Sequence, residues 1–265
     1  MKKTRWLLYP VFGLVFYLLF LIIEMPAAWF AWGLNRYTQG TVRLDPISGS
    51  LWSGSGKLAI YYPKTTPHEF GTTEWRINPF WLLTGRLQLS LQAEHQGKRV
   101  KTTLGLSRNS LLLKDTEAEF SATFVAQLYP PLSLISPQGK VRVSTETLTL
   151  SPDRVEGAAA LEWQNAGSSL SPVQPLGAYR LEINGAGATA SLLLRTTQGI
   201  LALDGRGEWQ ARTGRVLLNG SAVARERVTE LEPLLRLMGH DQGGGRRELR
   251  VDIPLSRPAA RAAAP

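Results

Sequence analysis

The chain contains no cysteine, so it can form neither a disulfide framework nor a thiolate metal site. The compartment stays open on that count, because exported proteins without cysteine are common. Histidine is scarce. His68, His95 and His240 stand alone, with no second histidine or carboxylate at metal-ligand spacing, so zinc and non-haem iron are not expected. Ser53 and Ser55 lie in the glycine-rich stretch Gly49–Gly56, but neither has glycine two residues away on both sides, as a nucleophile elbow requires. A Walker-type phosphate loop is missing. Gly54, Gly56 and Ala59, and again Gly185, Gly187 and Ala190, match a loose G-x-G-x-x-A pattern. The residues after each, Lys57–Tyr62 and Ser191–Leu194, read as strands, whereas a dinucleotide site needs a helix whose N-terminus meets the pyrophosphate. The carboxylates are scattered, with no sign of an acid–base pair. No catalytic, cofactor-binding or metal residue is therefore nominated, no cofactor is expected, and the chain reads as a non-enzyme.

Long charged runs are also missing. The formal net charge is +9 and the pI about 10, yet no basic run exceeds Arg246-Arg247. Lys2, Lys3 and Arg5 precede the apolar N-terminal segment, and the remaining excess reads as a solvated arginine-rich surface. Single-strand nucleic-acid binding would need aromatics interleaved with a basic track. That pattern is lacking, and no nucleic-acid partner is expected.

What is present begins at Trp6. Trp6 to Ile23 is eighteen residues without a charge, and Met25 to Trp32 continues mostly apolar. At about 1.5 Å per residue such a helix crosses a hydrocarbon core of roughly 30 Å. Trp6 and Tyr9 mark one end, Trp29 and Trp32 the other, as expected of two water–lipid interfaces. Pro10 and Gly13 are tolerable inside a membrane helix, and Glu24 reads as the end of the span. The basic cluster before the span, with Arg36 the next basic residue, puts residues 1–5 in the cytoplasm and the rest of the chain across the membrane. A cleaved signal peptide would have a shorter apolar region and an A-x-A-like site. Ala27-Ala28-Trp29-Phe30-Ala31 offers none, so residues 6–32 are assigned to an uncleaved anchor and its interface.

From residue 36 to 255 the pattern predicts a mainly β domain, an elongated and mostly antiparallel sheet with a few short helices. Leu87, Leu89 and Leu91, then Val141 and Val143, Leu148 and Leu150, Leu181 and Ile183, and Leu201 and Leu203 alternate with polar partners, the period of half-buried strands. Gly85, Gly139, Gly177, Gly199 and Gly214 precede such runs as turn residues. Short helices are predicted at Asn78–Gly85, where Asn78 caps and Pro79 fits the first turn, at Thr123–Tyr129 before Pro130-Pro131, and at about Glu230–Met238. In the last, Leu231, Leu234, Leu235 and Met238 share a face. Residues 256–265 are Pro/Ala/Arg-rich and read as a disordered tail. Glu74-Trp75, Glu119-Phe120, Glu162-Trp163 and Glu208-Trp209 recur at spacings of 45, 43 and 46 residues, raising a β-repeat of about 45 residues. A four-bladed propeller has a compatible period but lacks its Gly-His and Trp-Asp marks. Trp52, Trp75, Trp81, Trp163 and Trp209 are expected to bury apolar area in the sheet core.

Several segments taken together resemble the type II secretion system protein N family. They are Pro26-Ala27-Ala28-Trp29, Gly49-Ser50-Leu51-Trp52-Ser53-Gly54, Trp75-Arg76-Ile77-Asn78-Pro79 running into Leu82-Leu83-Thr84-Gly85-Arg86-Leu87, Leu176–Leu181, Gly199–Gly205 and Leu231–Leu235. Their order and spacing carry the resemblance over nearly the whole chain to about Leu255. The chain departs from the pattern at Ile200, where a Gly-Pro-Leu stretch is expected. The resemblance implies a non-catalytic, single-pass component of the cell inner membrane, with most of its chain in the periplasm of a Gram-negative bacterium. Its expected partners are other type II secretion inner-membrane subunits, in the machine that exports folded proteins across the outer membrane. The alternative is a membrane-anchored lipid-binding or lipid-transfer sheet. A periplasmic enzyme ranks last.

Overall fold

Alternating apolar and polar residues leave one side of a strand dry and the other wet, and this chain repeats that solution from Val42 to Pro254. The computed structural model describes residues 12–14, 16–17, 20–61, 68–95, 98–128, 132, 135–243 and 245–254. Among them are fourteen strands: β1 (Val42–Gly49), β2 (Ser53–Ile60), β3 (His68–Ile77), β4 (Leu87–His95), β5 (Lys98–Leu106), β6 (Leu111–Ser121), β7 (Pro137–Leu150), β8 (Val155–Ser168), β9 (Gly177–Gly187), β10 (Thr189–Gly199), β11 (Leu201–Gln210), β12 (Arg215–Ala224), β13 (Asp241–Gly243) and β14 (Arg246–Pro254). They form one sheet, in sequence order except that β14 lies next to β12 and β13 outside it. Every described pair is antiparallel. The mainly β, antiparallel architecture read from the alternation is thus present, and all the leucine, valine and isoleucine runs quoted above fall within strands.

The chain forms two compact units, Met1–Val100 and Lys101–Pro265. In the first, helix α1 (Ala27–Tyr37) lies on the sheet. Ala27, Phe30, Ala31 and Leu34 follow the i, i+3, i+4, i+7 rule of a helix with one apolar face, and they pack with Leu44, Trp75 and Ile77. Phe30 stacks on Trp75 with ring centroids 4.8 Å apart. The Trp75 indole lies against Gly54, where a Cβ would collide with the ring, and its Nε1 donates to the Leu51 carbonyl at 3.2 Å. The chain then makes a short helix α2 (Pro79–Leu82) between β3 and β4, in which the Asn78 side chain accepts the Phe80 N–H at 3.1 Å, as the sequence predicts for this cap.

In the second unit, neighbouring residues of one strand take opposite faces. Glu119, Arg142, Glu162 and Arg180 are successive partners across β6 to β9, and their sequence neighbours Phe120, Val141, Trp163 and Tyr179 are successive partners on the other face. The charged side is tied by Arg142–Glu119 at 3.3 Å and Arg180–Glu162 at 2.6 Å. The apolar side has Trp163 tilted on Tyr179 at 5.9 Å. This explains the recurring Glu-aromatic dipeptides without a repeat. They fall on β3, β6, β8 and β11, so successive pairs are three, two and three strands apart, and no unit of fixed strand number recurs. An acid beside an aromatic is simply what a strand with one charged and one apolar side supplies.

Two further helices close this unit. Helix α3 (Ala122–Leu128) buries Ala122, Phe124 and Ala126, with the Phe124 N–H donating to Ser121 Oγ at 3.1 Å. Helix α4 (Val228–Met238) buries Leu231, Leu234 and Leu235 against Val173, Leu176, Leu201 and Ala222. Of the glycines read as turns, Gly214 has φ +68° in the β11–β12 turn. Gly139 (φ +102°) instead sits inside β7 at a bulge, where the register with β8 shifts. This bulge uses the positive φ that glycine also supplies in tight turns, so the residue type alone did not separate them.

Tyr179 is buried and donates its hydroxyl to the Leu201 carbonyl at 3.0 Å. Burial pushes the phenol above its ordinary value of 10.0. Below that pH both folded and unfolded chains hold the proton. Above it the unfolded chain releases a proton that the native state keeps, so stability falls with rising pH. Tyr179→Phe is expected to cost about 1 kcal/mol at neutral pH and to flatten the loss of stability between pH 9 and 11. Urea titrations across that range check both effects.

Candidate interaction surfaces

The helical residues 12–14, 16–17 and 20–23 expose their large apolar side chains, from 46 % at Leu21 to 65 % at Phe12. Residues 6–11, 15, 18 and 19 of the expected span Trp6–Ile23, like residues 1–5 and 256–265, lie outside the described residues. Among the described residues no helix is long and apolar enough to cross a membrane. The apolar stretch is interrupted at Glu24-Met25-Pro26, and Met25–Trp32 does not simply continue the span. Pro26 bridges to Ser50, and α1 starts there as a helix belonging to the first unit. Its outer face leaves Trp29 and Trp32 exposed, edge to face at 6.1 Å.

The junction is held by the loop between β1 and β2. The Leu51 N–H donates to the Met25 carbonyl at 2.7 Å, and Trp52 Nε1 donates to the Ile22 carbonyl at 2.7 Å. The Trp52 carbonyl in turn accepts the Ile77 N–H at 2.6 Å. The last turn of the apolar helix is thereby tied to β3. This explains why tryptophan stands at position 52: its ring joins the apolar cluster while its single donor satisfies a carbonyl freed at the helix end.

The five tryptophans expected in the core divide. Trp75 is 2 % exposed. Trp52, Trp163 and Trp209 are half-buried, Trp163 donating to the Gln138 carbonyl at 2.8 Å. Trp81 is exposed, so the expectation is corrected there. It lies in α2, a single turn that buries none of its residues.

The sheet ends differ. In β1 the ladder is broken at Asp45-Pro46, with a register shift between Leu44 and Ile47, and a proline has no N–H to offer a new strand. Along β14, β13 pairs with Arg246 and Arg247 alone. Among the described residues no strand pairs with Leu249–Pro254 on the side away from β12. Arg215 and Asp252 hold this stretch to β12 with contacts of 2.8 and 2.6 Å. The hydrogen bond to Arg215 keeps the Asp252 carboxyl below the usual carboxylate range.

The motifs weighed for chemistry are not assembled into a site. Gly54 and Gly56 lie in β2, and Gly185 and Gly187 in β9. Ser55 Oγ is 3.0 Å from Ser48 Oγ, with no base in the pair. His240 is exposed. Among the described residues no group of histidine and carboxylates could hold a metal ion. A shallow depression over β10, β11 and β12 is lined by Arg195, Asp204, Arg206, Asn219 and Ser221. It holds one carboxylate, and its walls are mixed, with Leu193 and Leu194 beside the polar side chains.

In a comparison with known families, residues 40–250 fit the model of type II secretion system (T2SS), protein N. No curated protein and no solved structure matches the chain. The matched span covers part of each unit and every described strand from β1 to β13.

Proposed function

Since the chain belongs to the type II secretion system protein N family, we propose that it serves type II secretion as a non-catalytic inner-membrane component. It takes part in export of folded proteins from the periplasm across the outer membrane by binding other subunits. The family match over residues 40–250 carries this reading. Membrane attachment is supported by the uncharged run Trp6–Ile23 behind Lys2, Lys3 and Arg5, and by the exposure of its described side chains. In this arrangement the N-terminus is cytoplasmic and the bulk of the chain periplasmic. The anchor confines the sheet near other inner-membrane subunits and raises its effective concentration for them. The uncovered side of β14 offers main-chain donors and acceptors to a partner strand.

A photoreactive residue at Arg250, exposed on β14 and on the same strand face as Asp252, tests this in intact cells. The expected product is a crosslink to another inner-membrane subunit of the secretion system, with secretion lost on deletion of the protein. Crosslinks to unrelated envelope proteins only, with secretion unaffected by deletion, contradict the proposal. The alternative, a lipid-binding sheet, calls for an open apolar groove. The depression over β10–β12 is shallow, with charged Arg195, Asp204 and Arg206 beside Leu193 and Leu194, and is not such a groove. Native mass spectrometry of the full chain after mild extraction checks it directly through the presence or absence of bound lipid.

A further inference from the structure

Phe80, Trp81, Leu82 and Leu83 are four consecutive large apolar residues, and all four are exposed, Phe80 at 76 % and Leu83 at 85 %. Such a run on a water-facing turn carries a hydration cost without a packing gain, and soluble surfaces avoid it unless it meets something. The turn is not loose. The Trp81 carbonyl accepts the N–H groups of Thr84 and Arg86, each at 3.0 Å, and the Thr84 hydroxyl at 2.8 Å. Asn78 caps its start. The apolar side chains are therefore held outward on a closed knuckle.

The position of that knuckle indicates its occupant. Asn78 directly follows Ile77, whose N–H is bonded to Trp52, and Trp52 is bonded to Ile22 in the last turn of the apolar N-terminal helix. Two hydrogen bonds and one residue thus separate the base of the knuckle from the end of the anchor. Trp29 and Trp32, also exposed, lie about one and two helical turns beyond the same junction at Pro26. Between Glu74 and Glu94 the sequence has no acid and two arginines, Arg76 and Arg86, both exposed. Aromatic and aliphatic side chains with flanking arginines and no carboxylate match the headgroup layer of an anionic membrane.

We infer that the Phe80–Leu83 knuckle is a second membrane contact, bedded in the interfacial layer of the same bilayer that the N-terminal helix crosses. The inference rests on the anchor reading above. With two points of attachment the first unit no longer swivels freely on its tether. Its sheet is held in a set orientation to the membrane, so that partners meet it from one side.

Because the chain has no cysteine, single thiols can be placed at will. The full-length protein carrying Leu83→Cys, Phe16→Cys or Asp153→Cys, each labelled with a nitroxide, is reconstituted in vesicles of zwitterionic and anionic phospholipid. Collision with oxygen, which partitions into lipid, is compared with collision with a water-soluble nickel chelate. The expected oxygen-to-nickel ratio is highest at Phe16, several-fold above the Asp153 value at Leu83, and lowest at Asp153 in the β7–β8 turn. A Phe16 label in lipid with Leu83 as wet as Asp153 overturns the knuckle contact and leaves the anchor standing. A Phe16 label in water defeats the anchor reading itself. A Leu83 label shielded from both agents, and released when the protein is diluted in lipid, assigns the knuckle to a second copy of the chain and overturns the lipid assignment. In parallel, Leu83→Glu with Phe80→Asp is expected to lower the ratio at a label on Trp81→Cys to the aqueous value, while the Phe16 label is unchanged.

Discussion

Trp75→Ala is expected to destabilise the first unit by about 3–5 kcal/mol, the range for deleting a buried large aromatic side chain. Trp75 is the ring around which that unit is assembled. It is 2 % exposed, stacks on Phe30 of α1, fills the space left by Gly54 and satisfies the Leu51 carbonyl. Its loss removes the surface on which α1 lies and the partner of a loop that also holds the end of the apolar helix. Since whole domains are stable by only about 5–15 kcal/mol, the variant should lose the docking of α1, and limited proteolysis of α1 should accelerate at temperatures where the parent chain resists. Trp81→Ala, by contrast, removes an exposed ring and is expected to change stability by no more than about 0.5 kcal/mol. Urea unfolding of the two variants in matched detergent checks the contrast. Equal losses would mean that the assignment of one ring to the core and the other to the surface is wrong.

Leu235→Ala is expected to cost about 2–5 kcal/mol in the second unit. The side chain is fully buried between α4 and the sheet, in a cluster with Leu201, Leu231 and Ala222. Pro233 lies within this helix and removes one of its internal hydrogen bonds. The helix therefore depends on its apolar face more than on its own backbone ladder, and the cavity left by alanine cannot be offset by helix propensity. Arg236→Ala serves as the control. Arg236 is exposed and pairs with Glu232 one turn earlier at 3.2 Å, worth about 0.3–0.5 kcal/mol. Denaturant midpoints should separate the two variants clearly, and coincident midpoints would contradict the packing described for α4.

Much of this was legible in the residues. Period-two alternation at Leu87–Leu91 and Val141–Leu150 is a local signal, and it became strand wherever it was read. Asn78-Pro79 starts a helix through backbone chemistry that needs no tertiary context. The α1 helix was hidden by the hydropathy that made the N-terminus conspicuous. Met25–Trp32 is nearly as apolar as Trp6–Ile23, and only Pro26 and the face formed by Ala27, Phe30, Ala31 and Leu34 distinguish a helix resting on a sheet from one in lipid. Trp81 was misplaced for a related reason: apolar character states what a side chain avoids, and the topology decides which surface it meets. The division near Val100 left no trace, because alternation is the same on both sides of it. Of the interaction surfaces, the uncovered length of β14 depends on where β13 stops, a matter of pairing and not of composition.

The central claim is that the sheet units stand on the far side of a membrane from the N-terminus. Cells producing the full-length chain with Asp153→Cys as its sole thiol, treated with an impermeant maleimide after the outer membrane alone is permeabilised, test it most directly. The account predicts labelling while the inner membrane is intact. A thiol that reacts only after the inner membrane is broken would contradict it.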